Sequence, residues 1–337
     1  MRNSIFAILG LAILGGFLPG CERSQEKAPP DKVTVQLKWF HQAQFAGFYL
    51  AKEKGYYARE NLDVTFLEGG KGVDGIDRVI SGRADFAVVS PEDVLMKTSQ
   101  GVPVEAIAVI YQRSAVVFIT KKESGIERPF DFAEKTVAVG GAPGSIRDFQ
   151  IQFNALIKKL KIDDTAITIV PHEPSHKGFI KGDADVTAVY ITGGFITLKK
   201  EGHNLIVIWP GDYGIHFYSD TLVAGKALIE KNPQLVARFL RATLKGWREA
   251  VGDADAAVGA TMKYARVQDE ALQKAMMEAQ LPLVHTGEHP IGWMREEQWR
   301  EMRETLQEQG VISASPSNGT ETYTMRFLET VYGGQKE

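Results

Sequence analysis

Residues 33–67 read VTVQLKWFHQAQFAGFYLAKEKGYYARENLDVTFL. This stretch opens with the β-rich run Val33–Leu37 and closes with a second one, Val64–Leu67. Between them, Phe45–Lys54 carries apolar residues at helical spacing, and Gly55 follows where such a helix would end. A strand, a helix and a second strand in this order predict parallel strands joined by a helical crossover.

The same alternation continues through most of the chain. Further β-rich runs are Phe86–Val89, Val104–Tyr111, Val116–Thr120, Thr136–Val139, Ile167–Val170, Val186–Tyr190 and Leu205–Trp209. From Lys226 onward the pattern is almost entirely helical. We therefore predict two α/β lobes with parallel sheets, joined by extended crossings near Ala115–Thr120 and Phe217–Ala224. Ligands bind at the carboxyl ends of the strands in such sheets, so a cleft between the lobes is the expected site.

Length and composition agree with a two-lobed globular chain. The 337 residues suggest two lobes, since a domain has roughly 150 residues. Hydrophobic residues make up 44 % and charged residues 24 %, which is ordinary for soluble globular proteins. The net charge is −3, so no nucleic-acid partner is expected, because phosphate contacts need a basic face. The single cysteine, Cys21, cannot form an internal disulfide, a four-thiolate zinc site or an iron–sulfur cluster.

Residues 1–20 have the features of an export signal. The uncharged apolar run Ile5–Leu18 is too short to span a bilayer comfortably and suits a signal peptide. Leu18–Cys21 (LPGC) resembles the bacterial lipobox, which implies export and lipid anchoring to the membrane through Cys21. A plain secretory signal with a chance cysteine is the alternative. Residues 21–31 are polar and proline-rich, and we interpret them as a flexible tether.

Two short motifs suggest other functions but fit them poorly. Residues 70–75 (GKGVDG) match the glycine pattern of dinucleotide-binding loops, yet they follow the second strand, so we predict a glycine turn at a helix N-terminus. Residues 172–176 (HEPSH) match the H-E-x-x-H zinc motif, but Pro171 and Pro174 disfavour a continuous helix. We predict a polar loop there, with a helix starting near Ser175. No G-x-S-x-G elbow is present, and we predict that the protein is not an enzyme.

The segment between the first strand and the first helix has the residue types of a ligand wall. Trp39 supplies a flat surface for stacking, and His41 and Gln44 supply hydrogen-bond donors and acceptors for the edge of a heterocycle. Phe45 and Phe48 are expected in the core instead. We therefore predict that Trp39, His41 and Gln44 line a binding pocket.

Several segments together resemble one known family. They are VQLKW (35–39), HQ (41–42), QFAGFY (44–49), EKGYY (53–57), EGG (68–70), GRADFAV (82–88), DAD (183–185) and DYGIHFYSDTL (212–222). In these segments the chain is similar to the thiamine-pyrimidine-synthase-like family. That family includes the substrate-binding proteins of ABC importers for thiamine-pyrimidine precursors. The similarity covers nearly the whole chain after the tether.

The resemblance implies a type II periplasmic-binding-protein fold with no catalytic role and no cofactor. One lobe would comprise residues 32–118 and 219–337, and the other residues 119–218, with hinge bending at the crossings. The protein, expected to be a monomer, would capture a small heterocycle and deliver it to an ABC permease with its ATPase. A thiamine-pyrimidine precursor is the first expectation, and riboflavin or a small anion such as a sulfonate is the alternative. An exported ligand sensor and a pyrimidine-synthase-like enzyme are further alternatives.

Residues from both lobes would contact this ligand. The expected ligand-binding residues are Trp39, His41, Gln44, Ser90, Glu92, Gly141, Gly144, Ser145, Tyr190 and Tyr218. Ser90 and Glu92 have simpler explanations as a helix cap and as a favourable charge in a first helical turn, and Tyr190 as a core residue. Gly194 aligns with a glutamate that pyrimidine-binding members commonly carry. Either Glu92 supplies this carboxylate or the ligand differs.

Overall fold

Strands and helices alternate along the chain, as the sequence predicts. A computed structural model describes residues 28–140, 147–313 and 321–333. The strands in this part of the chain are β1 (Asp31–Gln36), β2 (Leu62–Leu67), β3 (Phe86–Val89), β4 (Val104–Val109), β5 (Val116–Lys121), β6 (Thr136–Gly140), β7 (Thr168–Pro171), β8 (Val186–Tyr190), β9 (Leu205–Ile208) and β10 (Thr221–Gly225). The predicted signal peptide, Cys21, most of the tether, and the loop residues Gly141, Gly144 and Ser145 lie outside the described residues.

The strands form two five-stranded sheets, one in each lobe. The order in the first sheet is β2-β1-β3-β10-β4, and the order in the second is β7-β6-β8-β5-β9. In the first sheet β1 runs parallel to β2 and β3, and in the second β6 runs parallel to β7 and β8. The predicted two-lobed α/β architecture is confirmed. The exact lobe boundaries remain a prediction.

Neither sheet is wholly parallel, which corrects one expectation. β10 is antiparallel to both β3 and β4, and β5 is antiparallel to both β8 and β9. Each of these two strands directly follows an extended crossing from the other lobe. A strand that enters without a helical crossover is free to run against its neighbours, whereas a parallel neighbour within one sheet needs such a crossover.

Helices cover the sheets, and the region after β10 is helical as predicted. The α-helices in the described residues are α1 (Ala46–Glu53), α2 (Tyr56–Arg59), α3 (Gly75–Ile80), α4 (Pro91–Ser99), α5 (Arg147–Lys159), α6 (Lys177–Lys181), α7 (Gly194–Lys200), α8 (Lys226–Lys231), α9 (Pro233–Gly252), α10 (Ala254–Met262), α11 (Glu270–Val284), α12 (Glu296–Glu308) and α13 (Arg326–Gly333). Within the described residues, none of these helices is long and apolar enough to cross a membrane.

The glycine-rich motif at residues 70–75 forms the predicted turn before a helix. Gly70 and Gly72 have positive φ angles of 138° and 81°. Asp74 then caps α3 by accepting a hydrogen bond from the Asp77 N–H at 3.0 Å. The helix α3 therefore begins at Gly75, directly after this turn.

The C-terminal helices return to the first lobe and fix the position of α1. Gly47 in α1 and Gly246 in α9 let the two helices approach closely, and the fully buried Trp247 lies against Gly47. α10 and α11 pack next to them, and α11 also contacts the 3-10 turn Ala43–Phe45. This packing holds the start of α1, with Gln44 before it, at the edge of the first sheet.

Candidate functional site

Polar side chains from both lobes meet in the buried space between the two sheets. Lys38 follows β1, Ser90 follows β3 and Asp220 precedes β10, all in the first sheet. Asp148 lies in the first turn of α5, and Tyr190 ends β8, both in the second lobe. We call these five residues the interlobe cluster. Lys38, Ser90 and Tyr190 lie at the carboxyl ends of strands and Asp148 at a helix start, which is where the fold predicts a ligand. Asp220 reaches the same edge because β10 is antiparallel to its neighbours.

Asp148 is the acceptor that connects the two lobes. Its Oδ2 accepts hydrogen bonds from Tyr190 OH at 2.6 Å and from Ser90 Oγ at 3.3 Å. Lys38 Nζ lies 3.4 Å from the same oxygen, and the Asp148 side chain is only 2 % exposed. One carboxylate thus holds groups from both sides of the cleft.

Lys38 supplies the positive charge of the cluster. Its ammonium group also donates to Tyr190 OH and lies 3.8 Å from Asp220 Oδ1. Burial acts to lower the pKa of Lys38, but the neighbouring Tyr190, Asp148 and Asp220 outweigh it and hold that pKa well above its ordinary value. Lys38 therefore stays protonated at neutral pH.

Asp220 extends the cluster toward the segment before α1. Its Oδ2 accepts a hydrogen bond from Gln44 Nε2 at 2.7 Å, whereas its Oδ1 is buried and has no hydrogen-bond partner among the described residues. Burial raises the pKa of Asp220, and the charge of Lys38 opposes that shift. One acceptor oxygen in the cluster is thus left for a further donor.

Glu92 lies beside the cluster and is 1 % exposed. Its Oε1 accepts a hydrogen bond from Gln152 Nε2 at 2.9 Å, and Gln152 in turn accepts one from Ser114. Its Oε2 is buried and accepts no hydrogen bond from the part of the chain that the structure describes. Burial, reinforced by the charge of Asp148, raises the pKa of Glu92 to about 8. At neutral pH the group is mainly a neutral acid, which can donate a hydrogen bond as well as accept one.

We expect Glu92→Gln to reduce the pH dependence of stability. The pKa of Glu92 rises from 4.5 to about 8 on folding, so the folded chain holds a proton that the unfolded chain loses in this range. The associated stability is complete below about pH 4.5 and is lost as the pH rises through about 8. Glutamine cannot ionise. Urea midpoints at about pH 5 and about pH 8 should differ less for Glu92→Gln than for the wild type. The exposed Glu301→Gln in α12 is the control, and an unchanged difference in Glu92→Gln would contradict the expectation.

The structure brings four of the predicted ligand residues to this site. Gln44, Ser90, Glu92 and Tyr190 all bond within or next to the interlobe cluster. Ser90 does stand at the N-cap position of α4, but its side chain makes no capping bond and donates to Asp148 instead.

Trp39 and His41 lie next to the cluster but outside its hydrogen-bond network. Trp39 is half-buried beside Lys38, and its ring packs against Phe40 with centroids 5.1 Å apart. His41 Nδ1 is 2.9 Å from Tyr49 OH, and burial lowers the pKa of His41. Both rings pack against aromatic side chains of the first lobe, and their contact with a ligand remains a prediction.

Tyr218 does not join the interlobe cluster. Its hydroxyl accepts a hydrogen bond from the Arg295 N–H at 2.8 Å, and its ring packs against Trp299. The next residue, Ser219, has its Oγ 3.3 Å from Tyr190 OH. Successive side chains of an extended chain point to opposite sides, so Ser219 faces the cluster and Tyr218 the C-terminal helices.

The H-E-x-x-H segment forms the predicted loop. His176 has a left-handed φ of 51°, and α6 begins only at Lys177, so the two histidines do not lie on one helix. Their rings are nevertheless 5.3 Å apart, and a Cβ added at Gly194 would lie 2.8 Å from His176 Nε2. The His176 ring therefore occupies the space into which a side chain at position 194 would extend.

The charged centre of the site was not predicted from the sequence. Lys38, Asp148, Gln152 and Asp220 were not expected to bind ligand, although they hold the cluster together. The position of Lys38 could have indicated a role in the site, because it stands between the apolar Leu37 and Trp39 directly after a strand. Asp148 looks like an ordinary acidic residue in a first helical turn, and only its burial marks it.

Comparison with solved structures supports the fold. The periplasmic aliphatic sulphonate binding protein SsuA from Escherichia coli superposes with a TM-score of 0.67 at 12 % identity, covering 88 % of this chain and 91 % of SsuA. The chain therefore has the two-lobed periplasmic-binding-protein fold. Within this class the chain belongs to the NMT1/THI5-like family, whose family model matches residues 42–257.

Two named relatives align with most of the chain. The riboflavin-binding protein RibY from Chloroflexus aurantiacus is 26 % identical over 311 residues, which is 88 % of this chain and 86 % of that protein. The formylaminopyrimidine-binding protein from Halalkalibacterium halodurans is 27 % identical over 314 residues, or 88 % and 92 % of the two chains. Both names describe the binding of a nitrogen heterocycle.

Proposed function

We propose that this protein is the solute-binding component of an ABC importer. It captures a small nitrogen heterocycle between its lobes and delivers the heterocycle to a membrane permease driven by its ATPase. The observation that supports this most strongly is the interlobe cluster, in which Asp148 and Lys38 join buried polar groups of both lobes. A ligand that bonds to both sides would stabilise the closed form, as such a transport cycle requires.

An aminopyrimidine of the thiamine-precursor type fits the polar groups better than an anion does. Among the side chains that the structure describes here, two carboxylates, Asp148 and Asp220, face one cation, Lys38, so the site disfavours a further negative charge. The acid group of Glu92 can pair with the mixed donors and acceptors of a heterocycle edge. So can Asp220 Oδ1, which accepts no hydrogen bond from the described residues. Glu92 thus takes the place of the carboxylate absent at Gly194. Riboflavin is the second candidate, supported by the relative RibY.

We further propose that the protein is exported and anchored by a lipid on Cys21. The apolar run Ile5–Leu18 and the LPGC sequence before the tether support this, and they lie outside the described residues. An anchor followed by a flexible tether would keep the lobes close to the permease while leaving them free to open and close.

Thermal unfolding of residues 22–337 against a ligand panel tests the function. The panel contains aminopyrimidine thiamine precursors, thiamine, riboflavin and small sulfonates. A ligand at about 100 times its Kd stabilises the folded state by about 2.7 kcal/mol, which raises the Tm by several degrees. We expect a rise with the aminopyrimidines. A rise only with sulfonates would overturn the heterocycle proposal, and a rise only with riboflavin would select the second candidate.

Trp39→Ala is expected to weaken heterocycle binding by several-fold up to about a hundredfold. The indole is half-buried beside Lys38, where it can stack on a flat ligand, and such aromatic contacts contribute about 1 kcal/mol beyond the area they bury. Isothermal titration with the panel ligand measures the effect. Trp293→Ala is the control, because Trp293 is also half-buried but lies in the C-terminal region. Equal affinities for Trp39→Ala and the wild type would remove Trp39 from the site.

A further inference from the structure

The Lys38 side chain bridges the two lobes inside the cleft. It belongs to the first lobe, yet its ammonium group bonds to Asp148 and Tyr190 of the second lobe and lies 3.8 Å from Asp220 of its own lobe. The two lobes are therefore joined by a protein side chain at the place where a ligand would be held.

This bridge is an obstacle to any ligand that binds there. The Asp148 and Asp220 side chains are each 2 % exposed, and removing the cation from between them would leave two buried carboxylates unpaired. Breaking a buried ion pair by removing one partner is strongly unfavourable, so a solute must replace the charge that it displaces. A neutral or anionic group at this position would not satisfy the carboxylates.

Lys38 itself is able to leave. Its side chain is 17 % exposed, whereas the carboxylates are almost inaccessible. A lysine has a flexible four-carbon stem, and its ammonium is strongly hydrated in water. Lobe opening would separate Lys38 from Asp148 and Tyr190 and let the ammonium reach solvent, with the carboxylates left facing the cleft.

We propose that Asp148 and Asp220 form a subsite for a protonated amine of the solute, and that Lys38 occupies this subsite whenever the cleft is empty. The proposal rests on the solute-binding function and specifies the chemical class of the ligand: a flat heterocycle that carries an aminoalkyl group. Lys38 then competes with the ligand for the two carboxylates and holds the lobes together when no ligand is bound. Only a ligand that carries an amine can replace the Lys38 ammonium there.

Chemical rescue tests the subsite without knowledge of the natural ligand. Lys38→Ala leaves the two carboxylates and a space the length of a lysine stem. Small-angle X-ray scattering of the ligand-free variant should show a larger radius of gyration than the wild type, because the bridge is gone. Added propylammonium should return that radius toward the wild-type value, and tetramethylammonium and acetate should not, since neither has an N–H to donate.

Lys226→Ala is the matched control. Lys226 also pairs with a buried glutamate, Glu105, at 3.3 Å, but within the first lobe. Its substitution should change neither the radius of gyration nor the response to propylammonium. An unchanged radius in Lys38→Ala, with circular dichroism showing an intact fold, would overturn the bridge. Expansion without rescue by propylammonium would overturn the amine subsite.

A second measurement compares two ligands that differ in one substituent, which is an ammonium group in one and a neutral hydroxyl in the other. An aminopyrimidine with an aminomethyl group and its hydroxymethyl analogue are titrated into the wild type and Lys38→Met. We expect the aminomethyl compound to bind Lys38→Met about tenfold to a hundredfold more tightly than the wild type, because its competitor is absent. Equal or weaker binding would overturn the proposal. If neither compound binds any variant, the heterocycle function fails, while the rescue experiment still decides the subsite.

Discussion

Replacing Gly246 with valine is expected to destabilise the protein by about 3 kcal/mol or more. Gly246 lies where α9 crosses α1, and a Cβ there would come within 2.3 Å of the Gly47 carbonyl oxygen and 2.6 Å of the Ala51 Cβ. Overpacking a tight core costs about 1–3 kcal/mol, and more where backbone must move. Here the first obstacle is backbone, so the helices would have to separate.

This change would also disturb the site. The crossing of α1 and α9 positions the segment that carries Gln44, which bonds to Asp220. Urea denaturation followed by circular dichroism measures the loss of stability. Gly252→Val is the control, because Gly252 ends the same helix and has nothing within 4 Å of its added Cβ. Similar urea midpoints for Gly246→Val and Gly252→Val would show that the helices tolerate a wider separation.

Asp148→Asn is expected to weaken binding of an amine-bearing heterocycle by about a hundredfold. Asparagine keeps the size of the side chain but removes the charge that Lys38, Tyr190 and Ser90 all contact. A hundredfold loss corresponds to about 2.7 kcal/mol, which lies below the 3–5 kcal/mol typical of breaking a buried ion pair. Asp220 remains and accounts for the residual affinity.

Isothermal titration of the aminomethylpyrimidine measures this effect. The control is Asp255→Asn, since Asp255 also lies in a first helical turn and pairs with a lysine, Lys274, but on the exposed surface. Exposed ion pairs contribute little, so this variant should bind and unfold as the wild type does. Unaltered affinity in Asp148→Asn, with a folded protein, would mean that Asp148 serves only to hold the empty cleft closed.

Much of the fold could be predicted because its signals are local. The strand and helix of residues 33–54 follow from side-chain periodicity within a few residues. The antiparallel direction of β5 and β10 was missed, because strand direction depends on which distant strand is the neighbour. A pattern within one segment carries no information about that neighbour.

Only some residues of the candidate site could be predicted from the sequence, and there is a physical reason why the others could not. Gln44 and Trp39 were found because their residue types match a heterocycle at a strand end. The ionic centre was missed because Lys38 and Asp148 stand 110 positions apart, and a separate charge on each segment looks like an ordinary surface residue. Lys38 and Asp148 can be linked to a site only once the structure shows that they are buried together between the lobes.

The amino-acid sequence is enough to predict the alternation of strands and helices and the two-lobed α/β class. It also carries the resemblance to a family of binding proteins. These rest on local periodicity and on contiguous motifs. The tertiary structure was needed to show that Lys38 reaches across the cleft to Asp148, that Glu92 is a buried neutral acid, and that the His176 ring fills the space beside Gly194. Burial changes the energy of a charge or a hydrogen bond, and burial is a property of the assembled lobes rather than of any one segment.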